Sequence, residues 1–149
     1  MTIKQDLYLQ CEHLLEDRLA QIQNHITDIQ ESLDSETKSS AGDKHETGRA
    51  MLQLEREKAG YQLAEVERLK TVLSKTSTEH RPGNIGLGSL VFTSKAHYFI
   101  SLSLGALHVD DQTFYAISTK TPIGQLLLGK QVGDQLSFNG HSFVIKQVI

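Results

Sequence analysis

The stretch Leu15-Glu-Asp-Arg-Leu-Ala-Gln-Ile-Gln-Asn-His-Ile-Thr-Asp-Ile-Gln-Glu-Ser-Leu33 decides the first half of the fold. Its apolar residues Leu15, Leu19, Ile22, Ile26, Ile29 and Leu33 alternate in steps of four and three. That is the period of a coiled-coil seam, narrower than the stripe of a globular-surface helix. Helical patterning reaches back to about Ile3, and about 30 helical residues extend roughly 45 Å. A helix of that length is marginal alone in water, so its seam calls for a partner.

A partner follows at once. From about Thr47 to Ser74, strong helix formers repeat the pattern through Leu52, Ala59, Leu63, Val66, Leu69 and Leu73, with Tyr61 expected at the edge of the same seam. Two arms of similar length joined by a short segment fold back as an αα-hairpin. A parallel dimer through the first arm would leave the second stripe uncovered. The joining segment, Asp34 to Gly48, is polar, contains glycine and lacks large apolar anchors, which suits an exposed tip.

Beyond residue 80 the composition changes. Residues 1–80 hold three glycines, no proline and 25 charged side chains; residues 81–149 hold eight glycines, both prolines and eight charges. The second half is therefore turn-rich and strand-like. Strands are expected at 90–93, 98–102, 113–117, 135–138 and 142–149, with Asn139-Gly140 as a two-residue hairpin turn. Pro122 to Leu128 is read as one short helix, with Thr121 as N-cap, Pro122 in the first turn and Gly129 as its stop. The expected fold is α+β: a hairpin over residues 1–76, a linker at 77–84, and an antiparallel sheet with one short helix over 85–149.

Several function classes fall away. The net charge of −3 divides into −5 for residues 1–80 and +2 for residues 81–149, so a nucleic acid would be met by a local surface or through a partner protein. The basic residues of the second arm, Arg49 to Lys75, read either as a solvated face or as a strip following RNA or a partner. The single Cys11 sits on a helix and reads as a buried thiol. Scattered histidines make no zinc motif, and Gly83-Asn-Ile-Gly-Leu-Gly88 lacks the lysine and helix of a phosphate loop. No apolar run is long enough for a membrane span, so a cytoplasmic protein without membrane association is expected.

At the tip, Asp43 and Glu46 are three residues apart where the second helix begins. One reading is a capping box that satisfies the helix N-terminus. The other is a pair of hard oxygen ligands, enough to share a Mg²⁺ whose remaining ligands come from elsewhere. The pattern leaves both open.

Three blocks downstream bear on that choice. Thr121-Pro122-Ile123-Gly124, Leu127-Leu128-Gly129-Lys130 and Val132-Gly133-Asp134 follow a strand in order. They resemble the C-terminal signature of the Gre family of bacterial transcript-cleavage factors, with Thr121 in the place of a serine. Ile85 to Val91 resembles the family's lead into the same domain. At the tip, Gly42-Asp43-Lys44-His45-Glu46-Thr47 keeps the glycine, aspartate and glutamate of the family's Gly-Asp-Leu-Ser-Glu-Asn.

The resemblance implies a coiled-coil hairpin followed by an FKBP-like domain, in a monomer that binds bacterial RNA polymerase and is not itself an enzyme. Thr121 and Pro122 would lie near the contact with the rim of the secondary channel. Asp43 and Glu46 would be the catalytic, metal-delivering tip. They would share Mg²⁺ with the polymerase, none being held by the isolated protein, and promote cleavage of a backtracked RNA 3′ end. It also implies DNA binding. Lys44, His45 and Thr47 depart from the family's tip, and a lysine between two carboxylates can pair with them. The alternative is a non-catalytic regulator or inhibitor that occupies the same channel.

Overall fold

In the computed structural model, backbone is described for residues 1–38 and 43–149, and side chains for 1–36 and 46–149. Two helices come first, α1 (Ile3–Lys38) and α2 (Asp43–Ser74). Thr2 caps α1: its hydroxyl accepts from the Gln5 amide at 3.1 Å, and the Gln5 side chain accepts from the Thr2 amide at 2.9 Å. This reciprocal pair satisfies two donors at the helix start. The chain forms two compact units, Leu15–Lys70 and Met1–Leu14 together with Thr71–Ile149.

The first unit is the hairpin. Ile29 and Leu33 of α1 pack with Ala59 of α2, and Ile26 and Leu52 close the cluster. Residues late in one helix thus meet residues early in the other, the antiparallel pairing expected of a fold-back. Every seam position named from the sequence is at least partly buried: Leu15, Ile29, Leu33, Ala59, Val66 and Leu73 fully, the others half-buried. Tyr61 is a correction. It was expected beside the seam but is 76 % exposed. Two residues past Ala59, at about 100° per residue, it points away from α1.

The second unit is built on a six-stranded sheet. Its strands are β1 (Leu90–Thr93), β2 (His97–Ile100), β3 (Gly105–Val109), β4 (Gln112–Ile117), β5 (Gln135–Phe138) and β6 (His141–Val148), in the order β3-β4-β2-β1-β6-β5. Helix α3 (Pro122–Leu127) lies between β4 and β5 in the chain. Strands β2 and β4 run parallel and every other pair antiparallel, so the sheet is mixed where a wholly antiparallel one was expected. The reason is β3, which sequence reading passed over. It pairs with β4 through the turn Asp110-Asp111, both residues at positive φ (50° and 63°), and so places β4 alongside β2 in the same direction. Asn139-Gly140 makes the expected turn between β5 and β6, again with two positive φ values (51° and 78°).

One core of this unit gathers Ile85, Val91, Ile100, Leu127, Leu136, Phe143, Ile145 and Val148, so α3 covers one side of the sheet. Residues from the start of α1 also belong to the unit. Gln10 donates from its side chain to the His108 carbonyl at 2.9 Å, and Cys11 hydrogen-bonds Ser101. Cys11 is fully buried as the sequence suggested, and that burial pushes its thiol up to about 11, against the smaller opposing pull of the Ser101 contact.

Candidate functional site

The corner around α3 is where the signature blocks meet. Thr121 is the N-cap of α3, in extended conformation. Its hydroxyl accepts from the Gly124 amide at 3.1 Å and donates to the Ser118 carbonyl at 2.9 Å. Pro122 follows in the first turn, where its missing N–H costs nothing. Gly124 is buried, and a Cβ there would lie 2.1 Å from the Ser118 carbonyl oxygen. Only glycine fits. Ser or Thr, then Pro, then one residue, then Gly is thus the smallest sequence that caps this helix and lets its first turn lie against the end of β4.

The other blocks tie this corner to the sheet. Gly129 takes φ +79° just past α3, and its amide donates to the Ile85 carbonyl at 2.8 Å. The Ile85 amide returns the bond to Lys130, also at 2.8 Å. Gly133 (φ +94°) donates to Ile145, and Ile145 donates back to Asp134. The Asp134 side chain accepts from the Gln131 amide at 2.9 Å, closing the turn into β5. Ile85, Gly129, Gly133 and Asp134 therefore serve one local architecture, and Thr121 and Pro122 stand at its partly exposed corner.

Glu46 is exposed on the first turns of α2. Gly42 and the side chains of Asp43, Lys44 and His45 lie outside the described residues, so the proposed pairing of Asp43 with Glu46 is not described. Glu36, a third carboxylate, comes close by: its Oε1 lies 3.6 Å from where a Cβ on Gly48 would stand. Sequence reading left Glu36 in the joining segment, because only the return of α2 alongside α1 brings it near Gly48. Among the described residues no group of three or more His, Cys, Asp or Glu side chains is placed to hold a metal. A carboxylate pair at this tip fits a Mg²⁺ only as a minority of its ligands.

The basic residues of α2 are mostly exposed, and Arg68 pairs with Glu65 at 2.7 Å on the same helix. That favours the solvated face over a continuous cationic strip. Near the middle of the hairpin, Ile22, Val66 and Leu69 line an open groove of about 450 Å³ flanked by Arg18, Lys58 and Tyr61. No described helix is long and apolar enough to cross a membrane.

No protein-family model and no curated protein matches the sequence. A solved structure of the transcription factor Gfh1 aligns with 22 % identity over 95 % of this chain and 92 % of that one, at a TM-score of 0.35. A superposition that loose carries no argument about function, which rests on this chain's own residues.

Proposed function

We propose that this chain is a divergent Gre-type factor: a non-enzymatic accessory that binds bacterial RNA polymerase and projects its hairpin into the secondary channel. The observation that carries the reading is the α3 corner. Hydrogen bonds join Gly124 to Leu128 and Gly129-Lys130 to Ile85 there, and Gly133-Asp134 ties the next turn to Gln131 and Ile145. All of these but Gln131 and Ile145 lie in the blocks that resemble the Gre signature and its lead-in, and the same chain carries the hairpin with its acidic tip segment. Thr121 and Pro122 are the proposed contacts with the rim of the channel. Direct DNA binding is not part of the proposal, since the chain is acidic overall and its more basic helix is internally paired at Arg68.

Within that reading, Asp43 and Glu46 would act in the polymerase active centre, contributing part of the coordination of a Mg²⁺ that the polymerase also holds. Such a metal supplies an activated water for phosphodiester hydrolysis. The factor's part is to bring carboxylate oxygens to that place and hold them on a stiff support. Lys44, lying between them in sequence, would compete as an internal cation and weaken their pull on the metal. For that reason a channel-occupying regulator that does not stimulate cleavage is the second reading.

One assay separates them. A stalled, backtracked elongation complex is incubated with the full chain and Mg²⁺. Shortened RNA, lost in the Asp43→Ala/Glu46→Ala double variant with binding retained, supports cleavage. Intact RNA with slowed initiation or elongation supports the regulator, and failure to bind core polymerase overturns both.

A further inference from the structure

The first turn of α1, the segment leading to β1, the start of β1 and Ile149 line a half-open cavity of about 270 Å³. Among the described residues Lys4 is the one charged side chain in the buried class, at 2 % exposure, and it lines this cavity. Its ammonium has three N–H donors. One of them reaches the Glu79 carbonyl at 2.7 Å. No carboxylate pairs with it among the described residues. The charged neighbour it senses is another cation, Arg81, whose guanidinium donates to the Leu87 carbonyl at 3.0 Å. Burial first, and Arg81 second, hold the Lys4 pKa below the ordinary lysine range. Buried charges are normally paired, because desolvation alone makes them costly. This one has a backbone carbonyl as its partner and lines the cavity.

The walls of that space narrow the class of ligand. Thr2, Thr78 and His80 add polar groups, and the remainder is lined by Ile3, Leu90 and Ile149. The volume falls just below the roughly 300–1,000 Å³ of drug-sized ligand sites. A single buried monocation beside Ile3, Leu90 and Ile149, with only neutral hydroxyls and one imidazole added, matches one negative charge on a short hydrocarbon body better than a multiply charged, strongly hydrated phosphate.

We propose that this cavity binds a small organic monocarboxylate, with the Lys4 ammonium taking the carboxylate and Ile3, Leu90 and Ile149 enclosing its hydrocarbon part. Such a ligand bridges the start of α1 and the segment before β1, two pieces of chain that Lys4 already links through Glu79. The site is independent of the polymerase reading and stands or falls without it.

The test uses the full chain and sodium butanoate, with sodium chloride at equal ionic strength and sodium phosphate as controls. Butanoate should raise the thermal midpoint in a saturable, concentration-dependent way, with a dissociation constant in the millimolar range. It should move the Leu90 and Ile149 amide resonances and raise the Lys4 pKa read from its ε-carbon shift. The Lys4→Met variant should fold and lose the response. An effect no greater than chloride overturns the proposal, as does an equal effect in Lys4→Met. Phosphate acting as well as butanoate overturns the carboxylate assignment. Should Lys4→Met fail to fold, the wild-type chain still decides: a Lys4 pKa unmoved by butanoate refutes the site.

Discussion

Replacing Gly124 with alanine tests whether the signature at α3 is a structural necessity. In an ordinary helix the change is favourable by about 1 kcal/mol, since alanine has the higher propensity. Here the added Cβ would stand 2.1 Å from the Ser118 carbonyl oxygen and 2.9 Å from the Thr121 hydroxyl oxygen. Normal carbon–oxygen contacts lie near 3.3–3.6 Å, so about 1 Å must be found. The obstruction at Ser118 is backbone and cannot rotate away. Moving it disturbs the carbonyl that accepts from the Thr121 hydroxyl, and with it the cap. Overpacking costs roughly 1–3 kcal/mol and a lost N-cap about 1 kcal/mol, against a propensity gain of similar size to the cap. The expected outcome is a net loss of about 2 kcal/mol in urea unfolding of the full chain. Thr121→Ala, which loses the cap without the clash, should cost about 1 kcal/mol. Gly124→Ala within about 0.5 kcal/mol of the parent, or more stable than it, would refute the argument.

Three other outcomes follow from the same structure. Ile29→Ala should destabilise the hairpin by about 2–5 kcal/mol, while Tyr61→Ala should lie within about 0.5 kcal/mol of the parent; helical circular dichroism during unfolding reports both. Cys11 should react with a thiol reagent at pH 8 at least about 100-fold more slowly than an unhindered cysteine, because a pKa of about 11 against 9.0 lowers the thiolate fraction before access is counted. The same shift predicts a pH effect. Between pH 9 and about 11 the unfolded thiol ionises while the folded one stays protonated, so this residue's contribution makes stability fall as pH rises. Lys4, with its lowered pKa, contributes in the opposite direction. The slope difference between the parent and Cys11→Ser therefore isolates the thiol, and equal slopes would reject the assignment.

What was legible in the sequence follows from where the physics is local. The seam from Leu15 to Leu33 is a repeat, and repeats survive any uncertainty about tertiary contacts. Thr121, Pro122, Gly129 and Asn139-Gly140 each answer a requirement of their own few residues of backbone. Strand β3 was missed because Gly105, Ala106 and His108 have weak strand preferences and Asp110-Asp111 is a less obvious tight turn than Asn-Gly. The parallel pairing of β2 with β4 follows from β3 and was lost with it. Lys4 reads as a solvated residue on any helical pattern, and only the return of Glu79, 75 residues later, encloses it. Glu36 is found beside Gly48 for the same reason.

The make-up of the second unit also sets an order of events. Its first 14 residues leave the ribosome before the hairpin, but the rest of its chain follows only after residue 70. Held apart by a slack chain of 56 residues, those pieces would face a substantial closure entropy. The hairpin removes most of it. Contacts such as Ile29 and Leu33 with Ala59 close from the turn outward, and each one shortens the loop that remains. Zipping the arms therefore delivers Leu7 and Cys11 to a sheet that is still forming, and the hairpin serves as a folding guide for the unit that begins and ends outside it. Weakening the seam should accordingly slow formation of the sheet, although none of the seam residues belongs to it.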